Sequence, residues 1–226
     1  MRSTRLEKTM NERDILQQTA EHVRGLLSGE QTGHDWFHVE RVCQMALAIG
    51  HEERADLFLV ELTALLHDVA DWKFAGGDHD AGPRAARTWL ASLNLPPATI
   101  DHVCEIIASL SFKGAGVATS MRSLEGQCVQ DADRLDALGA IGIARTFAYG
   151  GYKGQPLYDP AAKPELHASF DAYKRGGGSS LNHFYEKLLL LKDRMNTAAG
   201  KRLAADRHQF MERFLEQFLA EWEGER

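Results

Sequence analysis

Two histidines and two aspartates stand among apolar residues in this chain: His38 in G-H-D-W-F-H-V, His67 and Asp68 in A-L-L-H-D-V-A-D-W-K, and Asp131 in V-Q-D-A-D-R-L-D. An ionised side chain without a partner is costly to bury, so adjacent ionisable residues in a core need something that satisfies them. A divalent cation satisfies all four at once. Held there, it would also activate a water. Mixed nitrogen and oxygen donors suit manganese, iron, cobalt, nickel or zinc and leave magnesium possible, and the ligand types alone do not choose among them; manganese is the expected ion.

Helices must bring these residues together, because the apolar positions recur at helical spacing almost throughout. Ile15, Val23, Leu26 and Leu27 predict a helix over residues 12–27, and Val39, Val42, Cys43, Ala46 and Leu47 a second over 37–49, stopped by Gly50. A third, over 54–68, places His67 and Asp68 at its carboxyl end. Helices follow over 81–93 and 98–110, then a long one over 125–147, bent where Gly139 and Gly142 permit close packing. Residues 149–164 form the longest ordered loop, and a second loop ends at Gly176-Gly177-Gly178-Ser179-Ser180, where serine can cap the next helix. Helices over 181–191 and 197–222 complete the pattern. The expectation is an all-α fold in one domain spanning 1–226, with its metal-site region at about 34–135 and a C-terminal helical elaboration at about 179–222.

The 226 residues, 44% of them hydrophobic, suffice for one core. A net charge of −6 weighs against a nucleic-acid polymer while allowing a small anion in a local basic pocket. Cys43, Cys104 and Cys128 form no paired motif and read as buried free thiols. The polar amino terminus does not match a signal peptide. No apolar run is long enough to span a membrane, so a cytoplasmic protein is expected. A homo-oligomer stays open.

The ordered combination H…HD…D resembles the HD-domain metal-dependent phosphohydrolase superfamily. The runs V-Q-D-A-D-R-L-D-A-L-G-A-I-G-I-A-R and H-F-Y-E-K-L-L-L-L-K-D-R-M look like its bacterial YpgQ- and YedJ-like branch, a similarity reaching from about residue 33 to 221. The resemblance implies an HD-domain helical bundle-like fold with His38, His67, Asp68 and Asp131 as metal ligands. It implies hydrolysis of a small phosphorylated nucleotide, with nucleoside triphosphates going to monophosphate and diphosphate. A cyclic-nucleotide phosphodiesterase, a phosphomonoesterase and a non-catalytic nucleotide-sensing protein are the competing readings.

Around the proposed ligands, Asp71 lies one helical turn beyond His67 and is the best candidate for proton transfer, assisted by Asp68, although a solvent-facing residue or a partner of Lys73 fits it equally well. Lys73 is a candidate phosphate anchor; a surface position explains it equally well. His34 can touch a substrate or merely serve the loop before the first helix of the site. Arg134 suits either phosphate or a buried ion pair, and Arg145, further along, is a weaker phosphate candidate. His183 and Lys187, four residues apart, can share a face toward phosphates, although a packed histidine and a solvated lysine fit the same pattern. Asp136 reads as structural. His79 and His102 are the residues to test for a second metal, and Tyr152 or Tyr158 for stacking on a base.

Overall fold

The computed structural model describes residues 10–28, 35–70, 78, 80–110, 120–165 and 178–225, and they are helical with no strand among them. Helix α1 (Glu12–Leu26) is started by Asn11, whose side chain accepts from the Asp14 amide, and it buries Ile15, Thr19 and Val23. Helix α2 (Trp36–Glu53) runs through Gly50 rather than stopping there. A Cβ on Gly50 would lie 3.2 Å from Leu57 Cδ2, so the residue allows a close approach to the following helix. The stop comes at Arg54, in the left-handed region at φ 62°.

Helix α3 (Leu57–Leu66) is the central element. It is apolar around most of its circumference, as a helix covered on several sides must be. It packs against α1, α2, α5 (Pro97–Leu110) and α6 (Leu124–Asp136). Leu62 and Leu66 are fully buried, each stabilising the fold by about 1.5–3 kcal/mol relative to exposure. This burial fixes the carboxyl end of α3, where His67 sits, deep in the molecule. Helix α4 (Ala81–Ser92) packs on α5.

The predicted long helix over 125–147 is two helices. After α6, residues Ala137 and Leu138 leave the helical path, and Gly139 at φ 70° opens α7 (Gly139–Tyr152). Ala137 and Leu138 are not helix breakers, so the break was not apparent from composition. It depends on Gly139 and on Gly142, where a Cβ would collide with the Ala137 carbonyl.

The predicted helix over 181–191 is also shorter: α8 (Asn182–Glu186) is followed by 3₁₀ turns at Leu188–Leu190 and Lys192–Arg194. Ser179 does serve the start of this segment, its hydroxyl accepting from the Asn182 amide at 3.2 Å. Phe184 of α8 packs against Phe147 of α7 and Phe214 of the last helix, α9 (Ala198–Trp222). Helix α9 in turn contacts α7, α6 and α2. Tyr158 rests edge-on against Phe218 and Trp222, in loop packing rather than on open display, whereas Tyr152 is exposed. All three cysteines are buried and free, as expected.

Candidate metal centre

Each donor is delivered by the end of a helix. The Asp35 side chain caps α2 by accepting from the His38 amide at 2.9 Å, which sets His38 in the first turn, pointing inward and 1% exposed. His67 closes α3 as its C-terminal flanking residue, and Asp68 follows in the turn. This is the helix-end placement the sequence suggested, and it frees the two neighbours from the divergence a regular helix would impose.

The two imidazoles meet at Nε2, 3.2 Å apart. Asp68 Oδ2 lies 3.4 Å from His38 Nε2 and 3.6 Å from His67 Nε2. The fourth donor is Asp133, whose Oδ1 is 3.6 Å from His38 Nε2 and which groups with the two histidines as a candidate metal-binding cluster.

The chemistry of this donor set fits a divalent cation. Metal–donor bonds of about 2.0–2.2 Å place neighbouring donors roughly 3–3.6 Å apart, which is the range of these contacts. His67 Nδ1 is 2.7 Å from the Ala64 carbonyl and His38 Nδ1 is 2.7 Å from Asp136 Oδ2, so both Nε2 atoms are left facing the carboxylates. Burial pulls the His38 pKa down, but its hydrogen bonds to Asp136 and Asp68 and the charge of Asp68 outweigh this and raise it to about 9. A field that holds a proton this firmly also favours a divalent cation. The histidines are buried, whereas the side chains of Asp68 and Asp133 are 16% and 37% exposed. The centre therefore opens on its carboxylate side.

Asp131 is not part of this cluster, which corrects the sequence assignment. It is fully buried and turned to the start of α9. Its carboxylate accepts from the Asn196 amide at 2.9 Å, Asn196 Nδ2 at 2.8 Å, the Thr197 amide at 2.8 Å and Thr197 Oγ1 at 2.8 Å. Thr197 Oγ1 in turn accepts from the Gly200 amide, and a Cβ on Gly200 would collide with Asp131. Asp131 thus anchors α9, while Asp133 stands about 200° further round α6. The segment D-A-D-R-L-D did carry a usable signal. Asp133 and Asp136, three apart, share a side, and both reach His38.

Asp136 is the second residue that sequence reasoning undervalued. It ends α6 and is 5% exposed. Besides His38, it receives Arg41 from α2 through Nε to Oδ1 at 2.7 Å and Nη2 to Oδ2 at 3.0 Å, and Arg145 from α7 at Oδ2. Burial alone would raise its carboxyl, yet His38, Arg41 and Arg145 hold it far below the ordinary carboxylate range.

The proposed substrate groups are dispersed. Arg134 is buried and donates to the Arg194 carbonyl beside the last 3₁₀ turn. Arg145 lies at the centre but against Asp136. His183 and Lys187 sit on α8 and at its end. Burial, with the Lys187 charge, pushes the His183 pKa down to about 3. His102 faces Glu125, Nε2 to Oε2 3.5 Å, away from the cluster. His34, Asp71, Lys73 and His79 lie outside the described residues.

Residues 36–138 match the HD domain family, a stretch that begins with α2 and contains His38, His67, Asp68, Asp133 and Asp136. YpgQ of Bacillus subtilis is 40% identical over 209 residues, covering 92% of this chain and 94% of its own. The crystal structure of YpgQ in complex with ADP superposes with a TM-score of 0.72 over 92% of this chain and 95% of that one, at 36% identity. A Lactobacillus plantarum protein gives a TM-score of 0.84 at 37% identity, covering 95% of this chain and all of its own. An HD-superfamily hydrolase from Bacillus thuringiensis is 44% identical, with a TM-score of 0.74 over 94% of this chain and 99% of that one. Family, fold and donor set agree: this chain belongs to the HD-domain family, in its YpgQ-like branch.

Proposed function

We propose that the protein is a metal-dependent phosphohydrolase of small nucleotides that converts nucleoside triphosphates to monophosphate and diphosphate. The observation that carries this reading is the approach of His67 Nε2, Asp68 Oδ2 and Asp133 Oδ1 to within 3.2–3.6 Å of His38 Nε2, with His38, His67 and Asp133 grouped closely enough to share one ion. That B. thuringiensis relative is an HD-superfamily hydrolase, and YpgQ crystallised with ADP supports a nucleotide as the ligand class.

A bound divalent ion, manganese by preference, supplies Lewis acidity toward a phosphoryl oxygen and toward the attacking water. The chain's own residues do the rest. His38 and His67, locked by burial and by their Nδ1 partners, keep the donor geometry fixed, so little reorganisation accompanies the reaction. The partly exposed carboxylates of Asp68 and Asp133 line the side from which a phosphate must approach. Asp71 is the proposed proton-transfer group, assisted by Asp68. Lys73 and Lys187 are the proposed cations for the polyphosphate, with His183, neutral because burial lowers its pKa, as a proposed hydrogen-bonding partner.

Metal-stripped protein resupplied with manganese, then incubated with a panel of nucleoside triphosphates, tests the reading through separated products. Monophosphate plus diphosphate is expected. Orthophosphate release would move the reaction to phosphomonoester chemistry. An inert protein that binds both metal and nucleotide would make it a sensor.

A further inference from the structure

The two imidazoles of the centre are backed by different groups. Behind His67 stands the Ala64 carbonyl, a neutral acceptor left free at the end of α3. Behind His38 stands a carboxylate, Asp136, 2.7 Å from Nδ1, and that carboxylate is itself gripped from two sides by guanidinium groups, one of which, Arg145 through Nη1, also lies 2.8 Å from His38 Nδ1. The difference bears on metal binding. A neutral acceptor only orients a ring, whereas an anion also raises the basicity of the opposite nitrogen.

We infer that Asp136, clamped between Arg41 and Arg145, is the positioning residue of the metal centre, fixing His38 with Nδ1 protonated and Nε2 directed at a divalent cation. This rests on the metal-centre reading above and adds to it three residues that need not touch the ion. The architecture explains why the clamp has these members. Asp133 and Asp136 are one turn apart, so the last turn of α6 supplies both a ligand and the group that orients another ligand. Arg41 is three residues after His38 on α2 and so shares its side. Gly139, at φ 70°, turns the chain back after α6 so that Arg145 of α7 reaches the same carboxylate.

The clamp also has an energetic rationale. A buried carboxylate facing a neutral imidazole would be costly to keep ionised. Two guanidiniums compensate it, and the bidentate geometry of Arg41 fixes its rotation. Arg145 is 25% exposed, with Nη1 engaged at Asp136, which places that end of its guanidinium in the clamp. Asp136 thereby stays charged and oriented whether or not a metal is present.

Calorimetric titration of manganese into metal-free wild type, D136A, D136N, R41M and H67A tests this without substrate. Thermal melts serve as a check that each variant is folded. Dissociation constants about 10–100-fold weaker are expected for D136A, the usual consequence of losing the partner behind a metal-binding histidine. D136N, which keeps an acceptor and loses the charge, should lie between D136A and wild type, and R41M should show a smaller loss. In zinc-loaded wild type, nuclear magnetic resonance should show a solvent-protected His38 Nδ1–H proton that is absent from D136A.

Wild-type affinity in folded D136A, with that proton still protected, would overturn the inference. If D136A does not fold, wild-type affinity in D136N would overturn it equally. H67A separates the two levels of the argument. Loss of binding in H67A alone leaves the centre standing and removes the role of Asp136, whereas failure of wild type to bind any divalent ion removes both.

Discussion

Exchanging the fates of two aspartates two residues apart gives the sharpest prediction. Asp131→Ala removes a fully buried carboxylate that accepts from two backbone amides, an amide side chain and a hydroxyl at the start of α9. Thr197 still caps α9, but each buried donor left without a partner costs about 1–3 kcal/mol unless water replaces the acceptor. A net loss of about 3–5 kcal/mol follows, the scale seen when a buried charged network loses one member. For a chain of this length each kcal/mol lowers Tm by about 2–4 °C, so a decrease of roughly 6–20 °C is expected. Manganese affinity in the remaining folded protein should stay within a few-fold of wild type. Asp133→Ala should do the reverse, changing stability by about 1 kcal/mol or less, as a partly exposed site allows, while weakening manganese binding about 100-fold or more. Denaturant unfolding of metal-free protein and calorimetric metal titration read both quantities. An Asp131→Ala protein of wild-type stability that no longer binds metal would refute the reasoning and restore Asp131 as a ligand.

Three further outcomes follow from the same contacts. Gly200→Ala inserts a methyl against Asp131 and Thr197 Oγ1 and should cost about 1–3 kcal/mol by overpacking, measured as a lowered urea midpoint with unchanged metal affinity. The His183 pKa is lower in the folded chain, near 3, than its ordinary 6.5, so the unfolded chain takes up the proton first. Its contribution is therefore complete above about pH 6.5 and is lost as the pH falls from there toward 3, by up to about 1.4 kcal/mol per pH unit. His183→Gln should flatten that part of a stability-versus-pH curve, and an unchanged slope would exclude His183 as its source. His38 runs the other way. Its folded pKa is raised to about 9, so below that pH a proton competes with the metal. Manganese affinity should fall by up to about tenfold per unit of decreasing pH below about 9, and calorimetry in buffers of different ionisation enthalpy should register the released proton. A pH-independent affinity would mean that His38 binds no proton the metal must displace.

Much of the centre was legible in the chain because its chemistry conflicts with its surroundings. His67 and Asp68 end an apolar helix, and two adjacent ionisable residues there have few explanations other than a shared partner. His38 was legible for the same reason, and Asp35 before it is a recognisable helix start. Asp133 was hidden by a choice of phase. The segment D-A-D-R-L-D offers three carboxylates around one helix, and which of them meets α2 depends on how α6 is rotated. That rotation is fixed by the start of α9, whose Asn196 and Thr197 are more than sixty residues away, and spacing within a segment cannot report it.

The same limit applies to the clamp. Arg41, Asp136 and Arg145 come from three helices, and only the Gly139 turn brings the third within reach. Helix types were recovered well because apolar periodicity is local. At Ala137–Leu138 the glycines at 139 and 142 signal a bend but not a full break, and the 3₁₀ turns after α8 carry no such signal, because tertiary packing imposes them on residues that do not resist helix. Gly50 misled in the opposite sense. It lies inside α2, where its lack of a side chain serves contact with α3 rather than termination.

The account depends most directly on one divalent ion held by His38, His67, Asp68 and Asp133. Electron paramagnetic resonance of manganese titrated into metal-free wild type and His67→Ala measures free and bound ion without a substrate or an assumed reaction. The account predicts at least one tightly bound manganese per wild-type chain and loss of tight binding in a folded His67→Ala protein. Equal tight binding by both proteins would contradict it.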